Sequence, residues 1–203
     1  MRLLVSGATV DVAKADPRRI GVLFQPFDHN DPAGASGRVW AADNAAFSGF
    51  DAGAFVEMLG RLRGMPRCKF VAAPDVVADP SATGRLFDLW EPMIRALGFP
   101  VALVAQGGLT PECVPWRRVD ALFIGGSTEW KLSRHADTLL GMAAAHGKWR
   151  HVGRVNSRRR MRHFWGLCDS IDGSGFSRWP RIRIAKAERW FAEFEASPRL
   201  YAA

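Results

Sequence analysis

The sequence predicts an α/β fold: a compact (β/α)8 barrel of the TIM type, in one domain over residues 1–203. Eight short apolar, β-favouring runs alternate with longer amphipathic stretches. Four short polar or glycine-bearing stretches, Asp43-Asn44-Ala45-Ala46-Phe47, Gln106-Gly107-Gly108, Gly125-Gly126 and Asp169-Ser170-Ile171-Asp172, are tied to the ends of such runs. A chain of 203 residues, 48% apolar and 24% charged, can bury one substantial core, and nothing in it marks a second domain. In a closed parallel barrel the four stretches gather at the carboxyl ends of the strands, where such barrels build active sites.

The strand candidates are Leu3 to Ser6, Gly21 to Gln25, Val39 to Ala42, Lys69 to Ala73, Val101 to Ala105, Ala121 to Ile124, Arg150 to Gly153 and Ser170 to Ile171. Amphipathic spacing predicts helices over Ala54 to Arg63, Ser81 to Leu97, Glu129 to His146, Ser157 to Leu167 and Ala185 to Glu195. Gly64, Gly98 and Gly147 stand where C-terminal cap glycines belong, and Ser81 and Ser157 are candidate N-caps. The link from Val101 to Ala121 is too short for a full crossover helix. The Asp-, Pro- and Gly-rich segment from His29 to Gly37 reads as a loop beside the site, a candidate lid. Periodicity alone fits an open doubly wound sheet as well as a barrel.

Composition narrows the function classes. Eight Trp and thirteen Phe with interspersed charge exclude a disordered chain. No apolar run reaches the roughly 20 residues of a membrane span, and Asp11 interrupts the N-terminus too early for a signal peptide. The expectation is a protein of the cytoplasm, in a host or bacterial cytosol, with no membrane partner. Cys68, Cys113 and Cys168 are too scattered for a disulfide framework or a zinc site and read as small, mostly buried hydrophobes. His146 and His151 lie near one another, a spacing that is weak evidence for a metal. Neither metal nor cofactor is expected.

The net charge of +8 is unevenly distributed. Arg154, Arg158, Arg159, Arg160, Arg162, Arg178, Arg181 and Arg183 crowd one stretch, followed by Lys186, with only Asp169 and Asp172 as acids among them. Guanidinium groups grip phosphate oxygens bidentately, so the cluster points to nucleic acid; a solvated basic helix is the plain alternative.

The order of motifs resembles the tRNA-guanine transglycosylase family, in particular its short relatives that insert 7-deazaguanines into DNA. The resemblance runs from about Val39 to Arg178. Asp43-Asn44-Ala45-Ala46-Phe47-Ser48 is similar to the family's Asp-Ser-Gly-Gly-(Phe/Tyr)-Gln, whose Asp is the general acid/base. Asp75, ending Phe70-Val71-Ala72-Ala73-Pro74-Asp75, falls where the family holds a base-recognising Asp. Val104-Ala105-Gln106-Gly107-Gly108 resembles Val-Gln-Gly-Gly, and Phe123-Ile124-Gly125-Gly126 resembles Leu-Gly-Gly. Asp169-Ser170-Ile171-Asp172, with Ser177-Arg178, is similar to Asp-Met-Phe-Asp followed by Thr-Arg, in which the second Asp is the nucleophile. Val152-Gly153 sits where the family has Met-Gly, whose Met stacks on the base opposite the aromatic matching Phe47.

The resemblance implies a barrel that exchanges guanine for a 7-deazaguanine through a covalent sugar–enzyme intermediate. Retention at the sugar needs one carboxylate to attack the anomeric carbon and a second acid to protonate the departing base. Asp172 is the expected nucleophile, and Asp43 the proton shuttle, with a pKa nearer neutrality than an exposed Asp. Phe47 and Val152 would sandwich the base, while Asp75, Gln106, Gly107, Gly125, Gly126 and Gly153 would meet its edge. Arg154, Asn156, Arg158, Arg159, Arg160, Arg162 and Arg178 would hold flanking phosphates. Taken singly, each has a plainer role: Asp43 and Asp75 as caps or loop anchors, the glycine pairs as turns, Phe47 as core.

The departures matter too. The family's zinc segment beyond the nucleophile is absent, which favours DNA over tRNA; Ala45-Ala46 replaces a glycine pair, and Ser127-Thr128-Glu129-Trp130 replaces Leu-Ala-Val-Gly-Glu. The DNA target is a single strand or a flipped-out guanine, since a duplex hides the anomeric carbon; an accessory protein could open the duplex. The incoming base is a 7-substituted 7-deazaguanine, the 7-cyano form being favoured by family analogy. Three alternatives stay open: a tRNA-guanine transglycosylase, a nucleoside-monophosphate base-releasing hydrolase on an open sheet whose phosphate loop Phe123 to Glu129 resembles, and a non-catalytic nucleic-acid-binding module.

Overall fold

A computed structural model describes residues 1–197 except 8, 29, 30, 33, 34 and 36. Eight strands pair in chain order and close into a barrel: β1 (Arg2–Val5), β2 (Ile20–Phe24), β3 (Trp40–Ala42), β4 (Cys68–Ala72), β5 (Val101–Ala105), β6 (Ala121–Ile124), β7 (Trp149–Val152) and β8 (Ser170–Asp172). Every pairing is parallel, and β8 returns to β1 with Leu3 opposite Ile171 and Leu4 opposite Asp172. Closure removes the open-sheet alternative. It also satisfies both edges of a parallel sheet, whose strands are buried on both faces and therefore read as continuous apolar runs.

Alternation along each strand creates two apolar layers. Leu4, Leu23, Ala41, Phe70, Ala72, Ala102, Val104, Ala121 and Phe123 point into the barrel, with alanines giving room to the two phenylalanine rings. Their neighbours in sequence, among them Leu3, Val22, Trp40, Val71, Leu103 and Leu122, point outward under the helices, as does Ile171 on β8.

The helices are α1 (Thr9–Lys14), α2 (Ala52–Leu62), α3 (Pro80–Ala96), α4 (Thr128–Lys131), α5 (Arg134–Ala145), α6 (Arg158–Phe164), α7 (Ser174–Arg178) and α8 (Pro180–Ala196). Short α1 and α7 are unexpected from sequence, being too brief for periodicity to register. The predicted helix over 129–146 is two helices, because the Ser133 hydroxyl accepts from Ala136 N at 3.3 Å and restarts the chain. Ser157 caps α6 as expected, whereas Asp79, not Ser81, caps α3, accepting from Ala82 N at 2.8 Å ahead of Pro80. Gly64, Gly98 and Gly147 take positive φ at the helix ends.

The β5–β6 crossover carries only a 3-10 turn, Pro111–Cys113, as its length required. Of the proposed lid, only residues 31, 32, 35 and 37 are described; the rest lies outside the described residues. Cys168 is buried and Cys68 half-buried, but Cys113 is exposed, contrary to expectation, because it sits on that surface turn. No helix among the described residues is long and apolar enough to cross a membrane.

Candidate active site

Inward positions continue past the strand ends, and there they turn polar. Two residues beyond the inward apolar positions Leu4, Leu23, Ala41, Val104 and Phe123 stand Ser6, Gln25, Asp43, Gln106 and Gly125; Gly153 and Asp172 follow inward His151 and Ser170 by the same step. With Asp75 from the loop after β4, these residues line one cavity of about 370 Å³, within the size range of small-molecule sites. A second cavity, about 410 Å³, lies between α3 and the β5–β6 crossover. Its one carboxylate, Asp88, is held by Arg118 at 2.6 Å, so acid–base chemistry belongs to the first.

Asp43 and Asp172 share that cavity. Asp43 Oδ2 accepts from Gln25 Nε2 at 2.8 Å and Oδ1 from Asn44 N at 2.9 Å. Burial, and then the neighbouring Asp172 charge, push its carboxyl up to about 7. Asp172 Oδ2 lies 2.9 Å from His151 Nε2, and Oδ1 accepts from Arg154 N at 3.1 Å. The shared pocket thus contains one carboxyl that exchanges a proton near neutrality and one held from two sides.

Asp75 is gripped by amides. Oδ1 accepts from Asn44 Nδ2 at 2.9 Å and Oδ2 from Gln106 Nε2 at 2.7 Å, while Gln106 Oε1 accepts from Ala78 N at 2.9 Å. Burial raises the Asp75 pKa, and the two amide hydrogen bonds oppose the rise. Gln106 is 1% exposed, contrary to the surface position its type suggests. A side chain at Gly125 would meet Val104 Cγ1 at 2.8 Å and Gln106 Nε2 at 3.0 Å; one at Gly153 would meet Phe123 Cε2 at 2.6 Å. Both glycines are therefore required by close approach at the cavity wall.

The mouth differs from expectation. Phe47, 65% exposed, carries the Arg154 guanidinium over its ring, with Cζ 3.8 Å from the centroid. Val152 is fully buried in the outer core and cannot stack on a ligand, because Gly153, not Val152, holds the inward register on β7. Gly107 is not part of the cavity wall, and a side chain there would meet the Trp130 ring at 3.5 Å, while Gly126 lines the cavity at φ 73°. Asn156 Oδ1 accepts from Gly175 N at 2.9 Å, tying the loop after β7 to the first turn of α7 instead of facing solvent. Arg158 pairs with Glu193 at 2.8 Å, and Arg162 lies over Phe194 at 5.1 Å, so both serve the packing of α6 on α8. Arg154, Arg159 and Arg178 are exposed, Arg160 is half-buried, and Arg154 and Arg178 line the cavity.

Sequence reasoning missed Gln25, Asn44, Lys131 and His151 as site residues. His151 and Gln25 had a readable signal, the period-2 step that carries an inward side chain to a strand's end. Lys131 had none: it is the last residue of a four-residue helix, α4, and its side chain lines the cavity. The residue is 5% exposed, and its ammonium donates to Gly153 O at 2.9 Å and is brought down to about 8, chiefly by burial. His146 stacks on Trp116, centroids 4.6 Å apart, while His151 lies inside the barrel, so the two histidines serve separate places.

No family model and no curated protein matches the chain. Among solved structures it is similar to one described as native KDPGal, with a TM-score of 0.57 and 12% identity over 96% of this chain and 95% of that one. It is also similar to an enolase protein from the environmental genome shotgun sequencing of the Sargasso Sea, with a TM-score of 0.53 and 10% identity. That match covers 85% of this chain and 53% of the enolase, so the chain spans about half its length. Fold and pocket together define the class: a (β/α)8 barrel with a carboxylate pair at the carboxyl ends of its strands.

Proposed function

We propose that the chain is an enzyme, a pentosyltransferase that exchanges guanine in DNA for a 7-deazaguanine. The observation that carries this reading is the sharing of one cavity by Asp43, whose carboxyl titrates at about 7, and Asp172, anchored through both oxygens. In the first half-reaction an Asp172 oxygen bonds to the anomeric carbon as the bond to guanine breaks, and Asp43 gives its proton to the departing base. In the second, the incoming deazaguanine gives a proton to Asp43 and attacks the same carbon, releasing Asp172. Two displacements leave the sugar's configuration unchanged.

Asp75, set among amides beside the cavity, has the acceptor oxygens a guanine-like N1–H and exocyclic amine require. Gln106 supports Asp75 and adds its remaining donor and acceptor capacity. The place opposite Phe47 is held by Arg154, so an entering base displaces the guanidinium and frees it for an adjacent phosphate. The flipped or single-stranded DNA nucleotide, the 7-cyano-7-deazaguanine co-substrate and an accessory protein that opens the duplex complete the reading.

The test is incorporation of labelled guanine into guanine-containing DNA oligonucleotides, with tRNA in parallel. Exchange into DNA, lost in Asp172→Asn while DNA binding persists, is the expected result. Exchange confined to tRNA would move the activity to the tRNA branch, and binding without chemistry in the unaltered protein would leave a nucleic-acid-binding module.

A further inference from the structure

We infer that His151 is a positioning residue for Asp172: a buried relay, Trp149 to Ser170 to His151, presents an imidazole N–H to Asp172 Oδ2 and leaves Oδ1 as the oxygen that bonds to the sugar. The role of Oδ1 rests on the transglycosylase reading above, whereas the direction of the relay does not.

The relay follows from counting donors. Trp149 Nε1–H can only donate, and it lies 2.8 Å from Ser170 Oγ. Ser170 Oγ lies 2.8 Å from His151 Nδ1, and both residues are fully buried. If Nδ1 carried a hydrogen, Ser170 would face two donors, and its own hydroxyl hydrogen would be left to find another acceptor at a fully buried position. With Nδ1 bare, the hydroxyl donates to it and each group is satisfied. The imidazole hydrogen then sits on Nε2, 2.9 Å from Asp172 Oδ2, and donates to the carboxylate. The opposite tautomer would set a nitrogen lone pair against an ionised oxygen. Phe70 and Phe123, with ring centroids 5.0 and 4.5 Å from that of His151, wall the imidazole in place.

The two oxygens of Asp172 are thereby made unequal. Oδ2 faces the barrel interior and the relay. Oδ1 has the backbone N–H of exposed Arg154, just past the end of β7, as its partner, and that single hydrogen bond leaves it further acceptor capacity. When the sugar–Asp172 bond breaks in the second half-reaction, the electron pair returns to a carboxylate that already has an N–H aimed at it.

Two measurements test this. Nitrogen NMR of protein labelled with ¹⁵N-histidine should give His151 a protonated Nε2 and a bare Nδ1 at pH 8; a protonated Nδ1 would overturn the relay whatever the activity. In exchange assays, His151→Phe should lower kcat roughly 10- to 100-fold with KM for DNA nearly unchanged. His151→Gln, whose amide N–H can reach the Nε2 position, should recover most of it. Equal losses in both variants, or a loss confined to KM, would remove the positioning role. Wild-type protein that exchanges no base would sink the transglycosylase reading and the role of Oδ1 with it, while the spectrum would still decide the tautomer.

Discussion

At the residue scale the site is governed by what burial does to carboxyl groups. Asp43 is ordinary in type, yet its position lifts it to about 7 from an unfolded value of 3.8. A carboxyl raised on folding binds protons more tightly in the native state, so its favourable contribution is full below about pH 4 and is lost as pH rises to about 7. Asp43→Asn should therefore abolish exchange and also flatten the fall in stability across that window. At pH 8 the variant should be more stable than the parent by on the order of 1–3 kcal/mol, read from urea unfolding at two pH values. In the parent protein, single-turnover cleavage of the base should decline above about pH 7, as Asp43 loses the proton the leaving guanine needs. A rate still rising at pH 9 would take the acid role away from it.

Ala45 shows the cost of a local departure. It stands at φ 59°, in the left-handed region glycine adopts freely, at the start of the turn that presents Phe47. Ala45→Gly should leave the fold intact and raise stability by up to about 1 kcal/mol, measured as the midpoint of thermal unfolding. A marked destabilisation would mean that the loop depends on the alanine methyl.

At the scale of elements, strands were legible and short helices were not. The runs around 101–105 and 121–124 form strands with the predicted limits, because a strand buried on both faces has to be apolar throughout. The break between α4 and α5 escaped because it is made by hydrogen bonds: α4 closes at Leu132 on its own backbone carbonyls, and the Ser133 hydroxyl then caps α5 by accepting from Ala136 N. Caps of this kind have measurable weight. Asp79→Ala removes the acceptor for Ala82 N at the start of α3 and should cost about 1 kcal/mol, a fall of roughly 2–4 °C in Tm. Ser81→Ala, two residues further on and not the cap, should leave Tm nearly unchanged.

At the scale of the whole molecule, the arginine cluster divides by what surrounds it. Arg158 and Arg162 are engaged with α8, whereas Arg154, Arg159 and Arg178 stand exposed and have no ion pair among the described residues. Replacing Arg159 or Arg178 with Ala should reduce the slope of log affinity for single-stranded DNA against log salt by about one each. Arg158→Ala should lower Tm and leave that slope alone. A slope unchanged by Arg159→Ala and Arg178→Ala would place the nucleic acid on another face.

The amino-acid sequence by itself determined the strands and the carboxylates at their ends, because apolar runs and alternation are local properties of the chain; that the sheet closes, β8 returning to β1, was decided by the tertiary structure. The sequence also carried Asp43, Asp75, Gln106 and Asp172 to one face, since a parallel barrel sends every strand's carboxyl end the same way. Only the tertiary structure decided that Val152 turns to the core while Gly153 turns to the cavity, that Arg154 covers Phe47, and that His151 stands behind Asp172. Those outcomes depend on register and on contacts between residues distant in the chain, which a one-residue shift along a strand reverses and no local pattern records.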